Sequence, residues 1–249
     1  MKVNRIFNYF IVLFTLCLNL LCLGQSNIEK HRIRSIAVNS DYLIEIVLPK
    51  EYSKEEKYPI VYCTDWFHTS GFLKSIYSWL EYGRSVKNVI LVGISVEKNA
   101  QEWSVNRYRD FTPTHPHDNY SIGYTYAPAL ELTGGANNFV KFIKHELIPF
   151  AESKFSSDTS KRGFIGYSLG GLLCAYILYH DPGIFHYYLI GSPSLWWDNF
   201  SLINELKDSK TEPIRQGKIY LSIGEYEDGE MLQGFGQLRD YIEKTVQIH

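Results

Sequence analysis

The chain has 249 residues, with 25 Lys and Arg against 27 Asp and Glu and a formal net charge of −2 at pH 7. That balance leaves no basic stripe for nucleic acid and no charge block for a membrane surface. An aromatic content of 15% belongs to a packed globular protein and excludes disorder.

Lys2 and Arg5 precede an uncharged apolar stretch from Tyr9 to Leu23, followed by Gly24, Gln25 and Ser26. This is the form of a secretory signal, and the run falls short of the ~20 apolar residues a membrane span needs. Cys22 and Gly24 supply the small residues a signal peptidase reads, so residues 1–24 are expected to be a signal peptide cleaved after Gly24. A retained N-terminal anchor is the rival reading. Residues 25–249 are then one domain, exported to the periplasm or beyond the cell, with no stable membrane insertion after cleavage. The mature chain keeps 23 basic and 27 acidic residues, a net charge of −4. Cys63 and Cys174 fall in an expected strand and helix, and read as small buried hydrophobes rather than a disulfide.

In chain order, 32–38 and 42–48 read as an antiparallel hairpin broken at Asn39-Ser40-Asp41. Tyr58 to Cys63 reads as a buried strand, 71–82 as helical, and NVILVGISV (88–96) as a strand covered on both faces. A long stretch from Glu97 to Thr133, with Pro113, Pro116 and Pro128, reads as a functional loop forming a cap or cleft wall. Phe139, Ile143 and Leu147 make a helical stripe, with Pro149 ending or kinking the last turn. Strands over 161–167, 186–191 and 218–224 alternate with helices over 169–180 and 231–244. Such alternation implies an α/β fold, a mainly parallel sheet with helices on both faces.

The segment GFIGYSLGG carries most of the chemistry. A strand runs into Gly166-Tyr167-Ser168-Leu169-Gly170 and straight into an apolar helix, the context of a nucleophile elbow in an α/β-hydrolase fold. Ser168 is the expected nucleophile, and the backbone N–H of Leu169 the first oxyanion donor, at the positive end of the following helix. The plain alternative is a Gly-rich turn that happens to hold a serine. The second donor is expected in the loop Thr64 to His68, at the N–H of Trp66 or Phe67. Trp66 serves equally well as wall or core. The triad acid should follow a later strand, which selects Glu227, with Asp228 as its alternative, from the run of carboxylates between Glu225 and Glu230.

IGYSLGG followed by IGSPSLWWDN resembles the esterase-D-like esterases of the α/β-hydrolase fold, in the branch of enterochelin and other siderophore esterases. YPIVYCTD, RYRDFTPT and LTGGANNFVKFIKHELIPFAESKF agree, so the likeness runs from about Ile33 to Lys244. The resemblance implies a carboxylic-ester hydrolase that transfers an acyl group to Ser168, with a small-molecule ester as partner and no cofactor. It also implies that Ser192 to Trp197, Trp196 and Trp197 above all, line the substrate pocket; plain core packing is the equal alternative for both indoles. His68, beside the oxyanion loop, is a further expected substrate contact. Siderophore lactone, feruloyl or acetyl sugar ester and simple acyl ester all stay open.

The general base is harder to find. In the resembled family a final strand, a histidine loop and a last helix follow the acid. Here VQIH reads as the opening of that strand, so the domain is expected to be C-terminally incomplete. His249 is badly placed for the base. His115 and His117 precede the serine, an unusual order for this fold. No histidine pair has metal-ligand spacing with a supporting carboxylate, so no metal is expected. The rival to an active esterase is a truncated or catalytically impaired chain acting at most as a binding module.

Overall fold

A computed structural model describes residues 27–96, 99–116, 127–208 and 217–245. The expected signal segment, His117 and Val246 to His249 lie outside the described residues. Strands β1 (Ile28–Ser35), β2 (Ser40–Val47), β3 (Tyr58–Cys63), β4 (Ile90–Ser95), β5 (Ser157–Tyr167), β6 (Tyr187–Gly191) and β7 (Lys218–Ser222) form one sheet. Their order is β1-β2-β4-β3-β5-β6-β7, with β1/β2 and β2/β4 antiparallel and every other pair parallel. The expected mainly parallel α/β architecture is therefore the observed one.

Alternation along the strands builds two cores. Ile60 and Tyr62, Ile90 and Val92, and Phe164 point into the larger one. Val61 and Cys63, Leu91 and Ile165 point into the smaller one, covered by helix α1 (Trp66–Tyr82). The larger core is closed by α2 (Ala100–Phe111), α3 (Ala136–Phe142), a π-helical stretch (Ile143–Leu147), α4 (Ile148–Lys154), α5 (Leu169–His180), α6 (Trp197–Asp208) and α7 (Gly229–Thr245). β4 is buried along its whole length, as a strand with both faces covered must be. Cys63 and Cys174 are buried free thiols, and burial pushes the Cys63 thiol up to about 12.

Some boundaries differ from the sequence-based expectation. The first hairpin turns earlier, because Glu146 accepts hydrogen bonds from the Ile36 and Ala37 N–H groups and draws them off the ladder. Helix α1 begins at Trp66 rather than near Gly71, so the expected oxyanion loop shrinks to Thr64 and Asp65. Pro149 does not end the helical run; it follows directly on the π-helical stretch Ile143–Leu147, and α4 continues through it to Lys154. The largest correction lies within the long stretch expected as loop. α2 occupies its first part, with the Asn99 side chain accepting from the Glu102 N–H at 2.9 Å, and a 3₁₀ turn (Ala127–Leu132) its last.

α2 is anchored by a polar triad in which Tyr42 and Asp110 are buried and Arg109 half-buried. The Arg109 guanidinium clasps Asp110 at 2.6 and 3.0 Å, and Tyr42 Oη donates to Asp110 Oδ2 at 2.7 Å. Asp110→Ala leaves the guanidinium without its carboxylate, a loss expected to cost about 3–5 kcal/mol. Urea unfolding measures it, and a midpoint within error of wild type would show that the triad contributes nothing.

The face that α1 covers stays open further along. Tyr187, Leu189 and Tyr220 are exposed there and line a groove of about 300 Å³ together with Val61 and Ile165. Among the described residues β7 is a sheet edge.

Candidate active site

The parallel strands deliver their C-terminal ends to one rim of the sheet, where an open α/β sheet builds its sites. β5 ends at Tyr167 and α5 begins at Leu169, leaving a single residue to reverse the chain. That residue is Ser168, at φ 58 and ψ −119, a conformation that L-residues rarely hold. The flanking glycines make the turn possible. A Cβ on Gly166 would overlap the carbonyl of Gly170, and one on Gly170 would lie 2.5 Å from Thr64 Oγ1.

The Ser168 N–H donates to Gly191 O at 3.0 Å, and Ser168 O accepts from the N–H groups of Leu172 and Ser194. These bonds hold the hydroxyl at the rim, 3.1 Å from Ser194 Oγ. Ser194 is itself buried, in the segment between β6 and α6. Leu169 N–H is the first amide of α5, without an intrahelical acceptor, beside the serine. Trp66 and Phe67 are the first two residues of α1, so their N–H groups are free in the same sense.

The two helix starts are tied together by side chains. Thr64 Oγ1 donates to Ile165 O at 3.2 Å, joining the end of β3 to β5. Asp65, left-handed at φ 55, is 7% exposed, and its Oδ1 accepts from Arg107 Nε at 2.8 Å and Trp103 Nε1 at 3.0 Å. Arg107 Nη2 also donates to Tyr167 O, the carbonyl just before the nucleophile, at 3.3 Å. Burial pushes the Asp65 carboxyl above its ordinary range, and Arg107 and Trp103 pull it back.

Of the expected acids, Glu227 lies half-buried in the turn after β7, with Oε1 3.4 Å from the Tyr167 hydroxyl, a long hydrogen bond. Asp228 is exposed and its Oδ1 accepts from Met231 N–H at 2.9 Å, capping α7. The structure thus brings Glu227 towards the residue beside Ser168 and gives Asp228 a cap to serve. Trp66 is buried, over Cys63 and Leu91, in the smaller core, so its side chain is core rather than wall while its backbone stays at the rim. Phe67 and His68 are exposed, with His68 edge-on to Trp103 at 4.2 Å between ring centroids.

The tryptophan pair divides. Trp197 is fully buried and donates to Thr114 O at 3.2 Å, which makes it core rather than pocket lining. Trp196 is half-buried, its indole N–H on Met231 Sδ at 2.9 Å. Asp198, Asn199 and Phe200 all take positive φ, a left-handed turn that kinks the first part of α6.

Three of the described histidines are engaged elsewhere. His115 bonds Thr133 Oγ1 at 2.9 Å, His180 lies 3.4 Å from Glu205, and His186 Nδ1 accepts from the Arg162 N–H. Among the described residues no histidine hydrogen-bonds to Ser168.

Sequence reasoning missed Asp65, Trp103 and Arg107. Trp103 and Arg107 stand four residues apart on one face of α2, a helical pairing hidden once the stretch was taken for a loop.

A family model described as "Putative esterase" matches residues 35–244. The siderophore enterobactin esterase of Emericella nidulans is 34% identical over 121 residues, which cover 48% of this chain and 39% of that protein. Ferri-bacillibactin esterase BesA of Bacillus subtilis is 28% identical over 225 residues, 84% of this chain and 73% of that one. A crystal structure of the BES protein from Bacillus cereus superposes with a TM-score of 0.71 at 29% identity, covering 90% of this chain and 87% of the other. This chain therefore spans most of the two Bacillus proteins, but well under two thirds of the Emericella relative.

Proposed function

The chain belongs to this esterase family, a family of ester hydrolases, and on that footing we propose that it is a serine esterase acting on a siderophore ester outside the cytoplasm. The observation that carries the reading is Ser168 itself. A single strained residue joins β5 to an apolar helix, with the free Leu169 N–H beside its hydroxyl.

In the proposed cycle Ser168 Oγ attacks the ester carbonyl carbon. The new C–O bond places negative charge on the carbonyl oxygen, stabilised by the Leu169 N–H and by Trp66 or Phe67 N–H. The bond to the alcohol then breaks, and the alcohol leaves with the proton released from Oγ. Water attacks the acyl-enzyme, yielding the carboxylic acid and restoring the serine. Glu227 is the proposed acid of the triad, set beside Tyr167. Trp196 and His68 are proposed substrate contacts at the rim.

The relatives named for enterobactin and ferri-bacillibactin support a siderophore ester over a sugar or simple acyl ester. A cyclic catecholate triester, a feruloyl ester, an acetylated xylose and p-nitrophenyl acetate, offered in parallel, test the choice. The triester is expected to give the highest kcat/KM, and faster hydrolysis of any of the other three contradicts it.

One observation favours a second reading, that of a catalytically impaired chain which binds such esters. Ser168 Oγ pairs with Ser194 Oγ, and among the described residues no histidine hydrogen-bonds to Ser168, while His115, His180 and His186 each have another partner. Tight binding of the triester with no Ser168-dependent turnover would select it.

Export rests on the N-terminal segment. Secreted protein is expected to begin at Gln25, and N-terminal sequencing that starts at Met1 would overturn cleavage.

A further inference from the structure

We propose that Asp65, held by Arg107 and Trp103, is a positioning residue that sets the two halves of the oxyanion hole at one spacing. The inference rests on the reading of Ser168 as nucleophile and deepens it. The two halves come from different elements. Leu169 N–H belongs to α5, and the N–H groups of Trp66 and Phe67 belong to α1. An oxyanion hole works only when both donors sit 2.7–3.1 Å from one oxygen, so their separation must be fixed before substrate arrives.

Asp65 is the residue that sets where α1 starts. Its left-handed backbone turns the chain out of β3, and its carbonyl accepts the first helical N–H bonds, from His68 and Thr69 at 3.0 Å. Its side chain makes no capping bond to that helix. The carboxylate reaches instead to α2, where Arg107 Nε and Trp103 Nε1 both donate to Oδ1. The same guanidinium holds Tyr167 O through Nη2. One planar, rigid side chain thus grips the residue before α1 and the residue before the nucleophile. Asp65 Oδ2 closes the arrangement from the other side, for a Cβ on Gly170 would stand 3.2 Å from it. Removing the carboxylate frees the start of α1 to relax, and the donors drift from the spacing that a tetrahedral oxyanion requires.

The readout is the reaction of Ser168 with a fluorophosphonate, in which the Oγ–P bond forms, the P–F bond breaks, and fluoride and the hydroxyl proton depart. This step needs the oxyanion hole but no deacylation. Asp65→Ala is expected to lower the maximal labelling rate about 10²–10³-fold, the loss typical of one oxyanion donor, with the half-saturating probe concentration unchanged. Asp65→Asn keeps an oxygen acceptor for Arg107 and Trp103 and should recover the rate to within about tenfold. A merely structural role would lower the melting midpoint and affect both kinetic constants alike. Should Asp65→Ala fail to fold, Arg107→Lys carries the test. Its single ammonium nitrogen replaces the two separate nitrogens that Arg107 sets on Asp65 Oδ1 and Tyr167 O and lacks their fixed plane, and about a tenfold fall in maximal rate is expected. Full-rate labelling of Asp65→Ala, or of Arg107→Lys where the first does not fold, overturns the proposal while leaving the nucleophile intact. Ser168→Ala, run alongside, separates the two claims. Label on that variant, or none on wild type, removes the nucleophile and this inference with it.

Discussion

Ser168→Ala is expected to abolish labelling by a fluorophosphonate and to reduce ester hydrolysis by ~10⁴–10⁶, to the level of the oxyanion hole and binding alone. The size of the loss follows from chemistry rather than packing. No other described hydroxyl sits at φ 58 between a strand end and a free helix amide. Removing one oxygen from a partly exposed rim opens no cavity in the core, so the melting midpoint should move little. Relief of strain does not accompany the change, because alanine at that φ is as strained as serine. A variant that retains labelling, or one that unfolds, would contradict this account of the turn.

The second large effect is expected at Gly166. Its missing Cβ is the space that the Gly170 carbonyl occupies, backbone against backbone, with no flexible side chain to give way. Gly166→Ala must therefore push the start of α5 away from β5 or break the bond from Ser168 N–H to Gly191 O. Either movement costs about 3 kcal/mol or more, at or beyond the top of the usual range for overpacking. It also carries Leu169 N–H away from the oxyanion position. The variant should unfold at markedly lower denaturant, and whatever folds should label at least 10²-fold more slowly. Wild-type stability with wild-type labelling would mean that the turn is looser than described.

How much of this could be read in the residues depended on whether the signal was local. The elbow is local: strand, Gly-x-Ser-x-Gly and apolar helix occupy 157–180 without interruption. The central strands are local too, because full burial leaves an apolar run such as ILVGIS. α2 was masked by its composition. AQEWSVNRYRDF is mostly polar, with Asn106 and Asp110 on its buried side, and the prolines beyond it suggest a loop, although Asn99 three residues before Glu102 is a helix-start signature.

The links that join the site were out of reach for a different reason. Asp65 and Arg107 stand 42 residues apart, and no periodicity marks a single carboxylate and a single guanidinium as partners. For Trp197 the resemblance of SPSLWW to a pocket segment and plain core packing weigh equally in the sequence. Trp197 is buried, with its indole N–H on Thr114 O, a carbonyl 83 residues away that no local pattern points to. Glu227 and Asp228 differ in what they touch, the Tyr167 hydroxyl for one and the Met231 N–H at the start of α7 for the other, which a run of neighbouring carboxylates does not reveal.

Ser194 is the sharpest rival to Ser168, its hydroxyl only 3.1 Å away. The most direct measurement is therefore the position of the adduct. Wild-type protein is treated with a fluorophosphonate and digested with trypsin, and the peptide from Gly163 to Lys207, which holds both serines, is fragmented in a mass spectrometer. The account predicts the added mass on Ser168 alone, absent from protein unfolded before treatment. An adduct on Ser194, or equal labelling of folded and unfolded protein, would contradict it.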